Sequence, residues 1–412
     1  MVTPFLPEDL RLAAVREALP ATSAGIYLNA GSVGPLPAET HRAMLIQAER
    51  DLATGRSSPD DFAELLQRMD EARAAVAAIA RADPREIALT HSTTEGLNIA
   101  SWSVDWQPGD RAVTTRAEHA GGLGPLYLLR DRLGVELVMA DLDDGGDDEQ
   151  TLAALDAAIR PGTKLVSISH VAWTSGALLP IARIVELAHE RGALVAVDGA
   201  QAIGAIPVDV GELGADFYSI PAQKWLLGPE GSAALHVRPD VIERVRQTFA
   251  GHFSFASHDL TGTAEPQPDA RRFETSGFNR PLVVGMARSL AWLSMYVGLE
   301  WVYERGTRLA RATAARLATI PGVTVLTPAQ RMATLVTFRI ANWPSETAFE
   351  EISRRSFAIF RTVPDDALRI SVGFYNSEEE LERFAATVEL IAAHTPASLP
   401  PRPTLTILGQ GG

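Results

Sequence analysis

Cysteine is absent from this chain of 412 residues, and lysine nearly so. Without cysteine there is no disulfide, no thiolate metal ligand and no sulfur nucleophile. Lysine occurs twice, as Lys164 and Lys224, and the rest of the 37 basic residues are arginine. Arginine is effectively never deprotonated, and only a lysine amine forms an imine with a carbonyl. Any Schiff-base chemistry therefore has two candidates. No apolar run is long enough to span a bilayer, and residues 1–20 lack a basic segment followed by an apolar one, so the expectation is a cytoplasmic protein with no membrane partner. The net charge of −14 disfavours nucleic acid and anionic surfaces. Neither lysine follows a glycine, which excludes a phosphate-binding loop of the Gly-Lys-Ser/Thr type. The histidines show no metal-ligating spacing, so no metal is expected.

What is present suits a globular protein of two or three structural units, 46% hydrophobic and 21% charged. Residues 1–37 read as an entry segment ending in a loop punctuated by glycine and proline, YLNAGSVGPLP. Helical patterns follow at 38–54 and 62–81. From there to about residue 240, short strand-like runs (EIALT, RAVTT, VELVMA, KLVSISH, ALVAVD, FYSI, SAALHV) alternate with helical ones. This alternation predicts an α/β fold, a mostly parallel sheet with helices on both faces. Ligands of such sheets lie beyond the carboxyl ends of the strands, where Thr90, His170 and Asp198 stand.

Residues 251–281 are polar and rich in glycine and proline, as expected of a functional loop or an interface. Helical patterns at 282–297 and 299–319 precede strands near 323–326, 334–340, 357–361 and 367–372 and helices near 346–355 and 377–393. The expected organisation is an N-terminal segment (1–37), a large domain (38–298), a small α+β domain (299–400) and a disordered tail (401–412).

The order of chemistry-bearing residues is informative without any comparison. Asp198 follows the apolar run LVAV, where a carboxylate needs a cationic partner or several donors to stay ionised. In Thr90-His91-Ser92-Thr93-Thr94-Glu95-Gly96 small hydroxyl residues mark the passage from strand to helix, which offers backbone N–H groups to a phosphate. Lys224 follows another strand and precedes glycines. Alone, each has a commoner explanation: a turn residue, a helix cap, a solvated lysine. Lys164 fits the last, since it opens a strand at the end away from the expected site. Together, a lysine, an acid and a phosphate turn at adjoining strand ends are the parts a pyridoxal phosphate site requires.

The run VDGAQAIGAIPVDVGELGADFYSIPAQKWLLGPEGSAAL resembles the signature of the class V aminotransferase-like, fold type I pyridoxal phosphate enzymes. This group includes cysteine desulfurases, isopenicillin N epimerase-like proteins, kynureninases and related C–S lyases. The resemblance runs from YLNAGSVGPLP to LRISVGFYNSEEELERF. It implies pyridoxal 5'-phosphate as cofactor, with Lys224 as the Schiff-base lysine and proton shuttle and Asp198 holding the pyridine nitrogen protonated. It further implies Gln201 on the phenolic oxygen, His119 stacked on the ring, Thr93 and Thr94 on the phosphate, and Thr275 reaching the phosphate of a neighbouring subunit. The last implies a homodimer with shared active sites. Arg369 corresponds to the arginine that grips the substrate carboxylate, with Asn29 assisting and Trp173 lining the site.

Two departures stand out. Gln223 occupies the place before the lysine where many relatives have histidine, at a cofactor-binding position. The loop RRSFAIFRTVPDDALRIS, where desulfurases carry the cysteine that takes up sulfur, has none, which excludes a persulfide-forming desulfurase. The leading expectation is a biosynthetic lyase that removes an α-proton and cleaves the C–S bond of an S-substituted cysteine. An epimerase, an aminotransferase and a decarboxylating oxidative deaminase are the alternatives of the same family, and a non-catalytic cofactor-binding scaffold is the alternative of another class. Phe253, Phe255, Phe357 and Phe360, in the segments 251–281 and 356–366 expected to line the pocket, suggest an apolar or bulky substrate side chain, with packing as the equal alternative for each.

Overall fold

The computed structural model describes residues 5–401, so all of the expected tail but Pro401 lies outside the described residues. A central seven-stranded sheet has the order Ile87–Thr90, Ala233–Val237, Phe217–Pro221, Leu194–Asp198, Thr163–Ser169, Arg111–Thr115, Glu136–Ala140. Ala233–Val237 runs against both neighbours, and the other pairings are parallel. The sequence shows why. Leu194–Asp198 and Phe217–Pro221 are buried at every position, the signature of strands covered on both faces, so they read as continuous apolar runs rather than alternating ones. Parallel strands deliver their carboxyl ends to one edge, and Thr90, Ser169 and Asp198 arrive there together.

A second sheet, antiparallel throughout, has the order Val323–Val325, Leu335–Ile340, Ala367–Ser371, Arg361–Val363. Helices Leu299–Ala318, Ser345–Ser356 and Glu378–Ala392 accompany it around a core of its own that includes Phe338, Phe360 and Phe384. The N-terminal segment joins this unit: Ile26–Tyr27 pairs in parallel with Ala358–Ile359, and the Leu28 carbonyl accepts the Ser371 N–H. The same segment then crosses to the large sheet, where the Gly34 N–H donates to the Gln223 carbonyl at 2.7 Å. Only glycine fits there, because a Cβ on residue 34 would lie 2.2 Å from the Lys224 carbonyl oxygen.

The expected strand 357–361 is two strands. Phe357, at φ 57°, ends the helix Ser345–Ser356, Ala358–Ile359 pairs with the N-terminal strand, and Arg361–Val363 pairs with Ala367–Ser371. Phe360 turns into the core between them. The helix expected over 282–297 is Arg280–Ala291 followed by a π-helical stretch, Trp292–Val297; at Gly298 the chain bends by 83° into the next helix. No single helix among the described residues is long and apolar enough to cross a membrane. The segment 251–281 holds a short hairpin, Phe255–His258 with Ala264–Pro266.

Candidate active site

Lys224 stands in the turn after strand Phe217–Pro221 and borders a cavity of about 260 Å³ at the carboxyl edge of the large sheet. Desolvation lowers its pKa to about 8; Asp198 opposes the shift, while Arg369 and Arg361 add to it. An amine with a pKa near neutrality is a better nucleophile and proton acceptor than a free lysine. Lys164 is exposed near the start of strand Thr163–Ser169, away from the cavity.

Asp198 ends the central strand and is 8% exposed. Its Oδ1 accepts the Ala200 N–H at 2.9 Å, leaving Oδ2 for a cation in the cavity. The chain can turn there because residue 199 is glycine: a Cβ would lie 2.1 Å from the Tyr218 ring. Gln201, one turn on, is buried and its amide is oriented from both sides. Nε2 donates to the Gly31 carbonyl at 2.9 Å, and Oε1 accepts the Trp225 indole N–H at 3.1 Å. Indole is a donor only, so this bond fixes which amide atom is oxygen and leaves one Nε2 proton for a ligand.

Thr93 and Thr94 open the helix Thr93–Ser103, whose N-cap Ser92 accepts the Glu95 N–H at 3.1 Å. The free N–H groups and the dipole of this helix start suit a phosphate. Gln223 faces the same cavity with Oε1 buried and without a partner. His119 caps the helix Ala120–Leu133, with Nδ1 accepting the Gly121 N–H at 3.1 Å. That bond places the proton of the neutral ring on Nε2. Partial desolvation, then the Lys224 charge, lowers its pKa. The Trp173 ring meets His119 edge to face, with centroids 5.5 Å apart.

At the other end of the cavity lies Arg369, 1% exposed. Nη1 donates to the Trp173 carbonyl at 2.7 Å, while Nε and Nη2 are buried and unpartnered. Burial and the neighbouring Arg361 push its pKa down to about 9, so it remains charged at neutral pH. A buried donor left unpaired costs about 1–3 kcal/mol, a cost that a bound carboxylate relieves.

The structure thus brings Thr93, Thr94, His119, Trp173, Asp198, Gln201, Gln223, Lys224 and Arg369 to one cavity. Asn29 is a neighbour: it bridges to Ser371 beside Arg369, with Oδ1 buried and unpartnered. Thr275 does not line the cavity. None of the four phenylalanines does either, so the packing alternative holds for them and they give no sign of an apolar or bulky substrate side chain. Phe253 packs on Phe62 and Phe278, Phe360 packs on Phe349 and Phe384, and Phe357 is 67% exposed. Phe255 lies by His258 at a separate cleft. Sequence reading missed Ser32, Ser169 and Arg361 among the lining residues. Arg361 carried a signal of a kind, a basic residue in the loop RRSFAIFRTVPDDALRIS, which holds no cysteine.

The donor set fits pyridoxal phosphate: an amine of lowered pKa, an acid at the central strand end, an oriented amide N–H and a helix start bearing hydroxyl side chains. The family model for aminotransferase class-V matches residues 26–384. A probable cysteine desulfurase of Methanothermobacter thermautotrophicus is 27% identical over 93% of this chain and 98% of its own. Isopenicillin N epimerase of Streptomyces clavuligerus is 30% identical over 89% and 94%. Among solved structures, the cystine C–S lyase C-DES in complex with its reaction product cysteine persulfide superposes with a TM-score of 0.85 at 25% identity, covering 92% of this chain and all of that one. Fold, site and relatives agree: the chain belongs to the class-V aminotransferase family, in the group of cysteine desulfurases and C–S lyases, and its cofactor is pyridoxal 5'-phosphate.

Proposed function

We propose that this enzyme is a C–S β-lyase acting on an S-substituted cysteine that carries a second anionic group. The observation behind this reading is Arg361. The loop where desulfurases place a sulfur-accepting thiol holds no cysteine and instead puts a guanidinium on the cavity wall, beside Arg369. Without a thiol the chain cannot take up sulfur as a protein-bound persulfide, so sulfur leaves with its own substituent. Arg369 binds the α-carboxylate by its free fork, and Arg361 meets the distal acid.

The bound cofactor supplies a carbonyl for amine exchange and an electron-withdrawing ring for the α-carbon. The chain does the rest. Asp198 would keep the pyridine nitrogen protonated, Gln201 would donate its remaining N–H to the phenolic oxygen, and Thr93, Thr94 and Gln223 would hold the phosphate. His119 would cover the ring as a neutral imidazole. Lys224 Nζ takes the α-proton, the Cβ–Sγ bond breaks, and sulfur departs with the bonding electrons as a thiolate, or as a persulfide when the substrate is a disulfide. Water then converts the remaining unsaturated amine to pyruvate and ammonia.

The reading also assigns Thr275 to the site of a second copy of the chain in a homodimer. In support, Thr275 lies outside its own cavity, and the nearby helices leave Leu52 and Phe62 exposed at 87% and 40%. Incubation with cystine and with S-methylcysteine tests the proposal: pyruvate, ammonia and a sulfur product are expected, cystine being the better substrate. Racemisation without elimination, or conversion to the keto acid alone, overturns it.

A further inference from the structure

The reaction above leaves one buried carboxyl beside the site unused. Glu118 is 7% exposed, in the turn between strand Arg111–Thr115 and helix Ala120–Leu133. Among the described residues its side chain has no cation as partner: Thr115 Oγ1 lies 2.8 Å from Oε1, Ser169 Oγ lies 2.5 Å from Oε2, and the Ser169 backbone N–H also favours the charged carboxyl. The two hydroxyls are not equivalent. Thr115 is 1% exposed and its oxygen also accepts the Ala117 N–H at 3.2 Å, so Glu118 Oε1 is the acceptor for its hydrogen. A proton on Oε1 would leave that hydroxyl hydrogen buried and unpaired. When Glu118 is protonated, the proton therefore sits on Oε2, in the bond to Ser169. Ser169, unlike Thr115, borders the cavity and stands in register with Asp198 on the adjacent strand.

We propose that Glu118 is a positioning residue: acting through Ser169, it decides whether the cavity wall beside Asp198 offers the bound cofactor a hydrogen-bond donor or an acceptor. With Glu118 protonated, Ser169 accepts from Oε2–H and turns its own hydroxyl hydrogen toward the cavity. With Glu118 ionised, Ser169 donates to Oε2 and turns a lone pair to the cavity. One proton on one side chain reverses the polarity of a group next to the carboxylate that faces the pyridine nitrogen.

Both states are populated near neutrality. Desolvation without a counter-cation raises the Glu118 pKa to about 7, and the negative charge of Asp198 contributes to the rise. The other titratable groups nearby do not replace it. His119, on the same turn, accepts at Nδ1; Lys224 lies on the cavity wall; Arg116 is exposed; and His170, next after Ser169, bonds Tyr218 and is held neutral by burial.

The test is the absorbance of the cofactor-loaded full chain as a function of pH, in wild type, Glu118→Gln and Ser169→Ala. Wild type shows a spectral step centred near 7. The glutamine accepts from Thr115 at Oε1 and donates from Nε2 to Ser169, which holds the donor state permanently. Glu118→Gln therefore keeps the low-pH spectrum throughout, and Ser169→Ala also loses the step. A step that survives in Glu118→Gln overturns the proposal. A step lost in Glu118→Gln but kept in Ser169→Ala overturns the relay through Ser169, since charge alone then acts across space. A Glu118→Gln spectrum unlike wild type even at low pH overturns it as well, because the two states are then not equivalent.

Discussion

Arg361 and Arg369 face each other as direct partners across an antiparallel strand pair, and no carboxylate among the described residues pairs with either. Like charges directly opposite destabilise a sheet, and the Arg361 charge adds to burial in lowering the Arg369 pKa. The dianionic substrate proposed above would offset that repulsion. Arg361→Leu is expected to raise KM for cystine by about 10- to 100-fold, the worth of a charge-assisted hydrogen bond. For S-methylcysteine, which lacks the distal acid, KM should stay within about threefold. Arg369→Lys loses the planar fork and should lower kcat/KM for both substrates by about 100-fold. Steady-state kinetics on the two substrates checks both statements.

Lys224 carries a stability signature of its own. In the unfolded chain it titrates near 10.5, in the folded protein near 8. Between these values the unfolded state binds more protons, so stability rises with pH across the window and the penalty is complete below about 8. Cofactor-free Lys224→Met should therefore be more stable than cofactor-free wild type at pH 7, by on the order of 1–2 kcal/mol given its residual exposure. The gap should close as pH rises above 8. Lys224→Ala should keep the fold while losing the borohydride-reducible attachment of cofactor. Thermal melts and absorbance spectra test the two effects separately.

Glu118 has the opposite sign. Its carboxyl titrates near 4.5 when unfolded and near 7 when folded, so the folded state binds more protons in between and loses stability as pH rises through that window. Cofactor-free Glu118→Gln should exceed wild type by about 1 kcal/mol or less at pH 5 and by about 3 kcal/mol at pH 8. Melting curves at the two pH values decide the matter; equal differences at both would remove the buried ionisation.

Trp225→Phe deletes the only donor that bonds Gln201 Oε1 among the described residues, and frees the amide to rotate. Cofactor affinity should fall about 3- to 10-fold, the worth of one neutral hydrogen bond. The same substitution in a Gln201→Ala background should have little further effect on affinity. A full additional loss in the double variant would show that Trp225 acts by packing alone.

Much of this was readable from residue order. The buried parallel strands appear as continuous apolar runs because both their faces are covered, and their ends fall where the sequence places Thr90, Asp198 and Lys224. The helix start at Thr93 is legible because a cap and a strand end are local features. The phenylalanines of 251–281 and 356–366 were misread because an irregular segment has no periodicity to say which face a side chain takes. The double strand at 358–363 was hidden for a related reason. Its break depends on two different pairing partners, one of them hundreds of residues earlier in the chain.

The sequence by itself, through the family its residue order resembles, pointed to the cofactor, and its composition excluded a protein thiol. One of two lysines, an acid at a strand end and a total lack of cysteine are statements about residue identity and local order. Tertiary structure decided what surrounds the lysine. Strand register sets Arg361 opposite Arg369, sheet order brings Ser169 beside Asp198 and within a hydrogen bond of Glu118, and a loop crossing ties Gly31 to Gln201. These pairings join positions far apart in the chain or in register across strands, and only the folded chain places them within reach of one another.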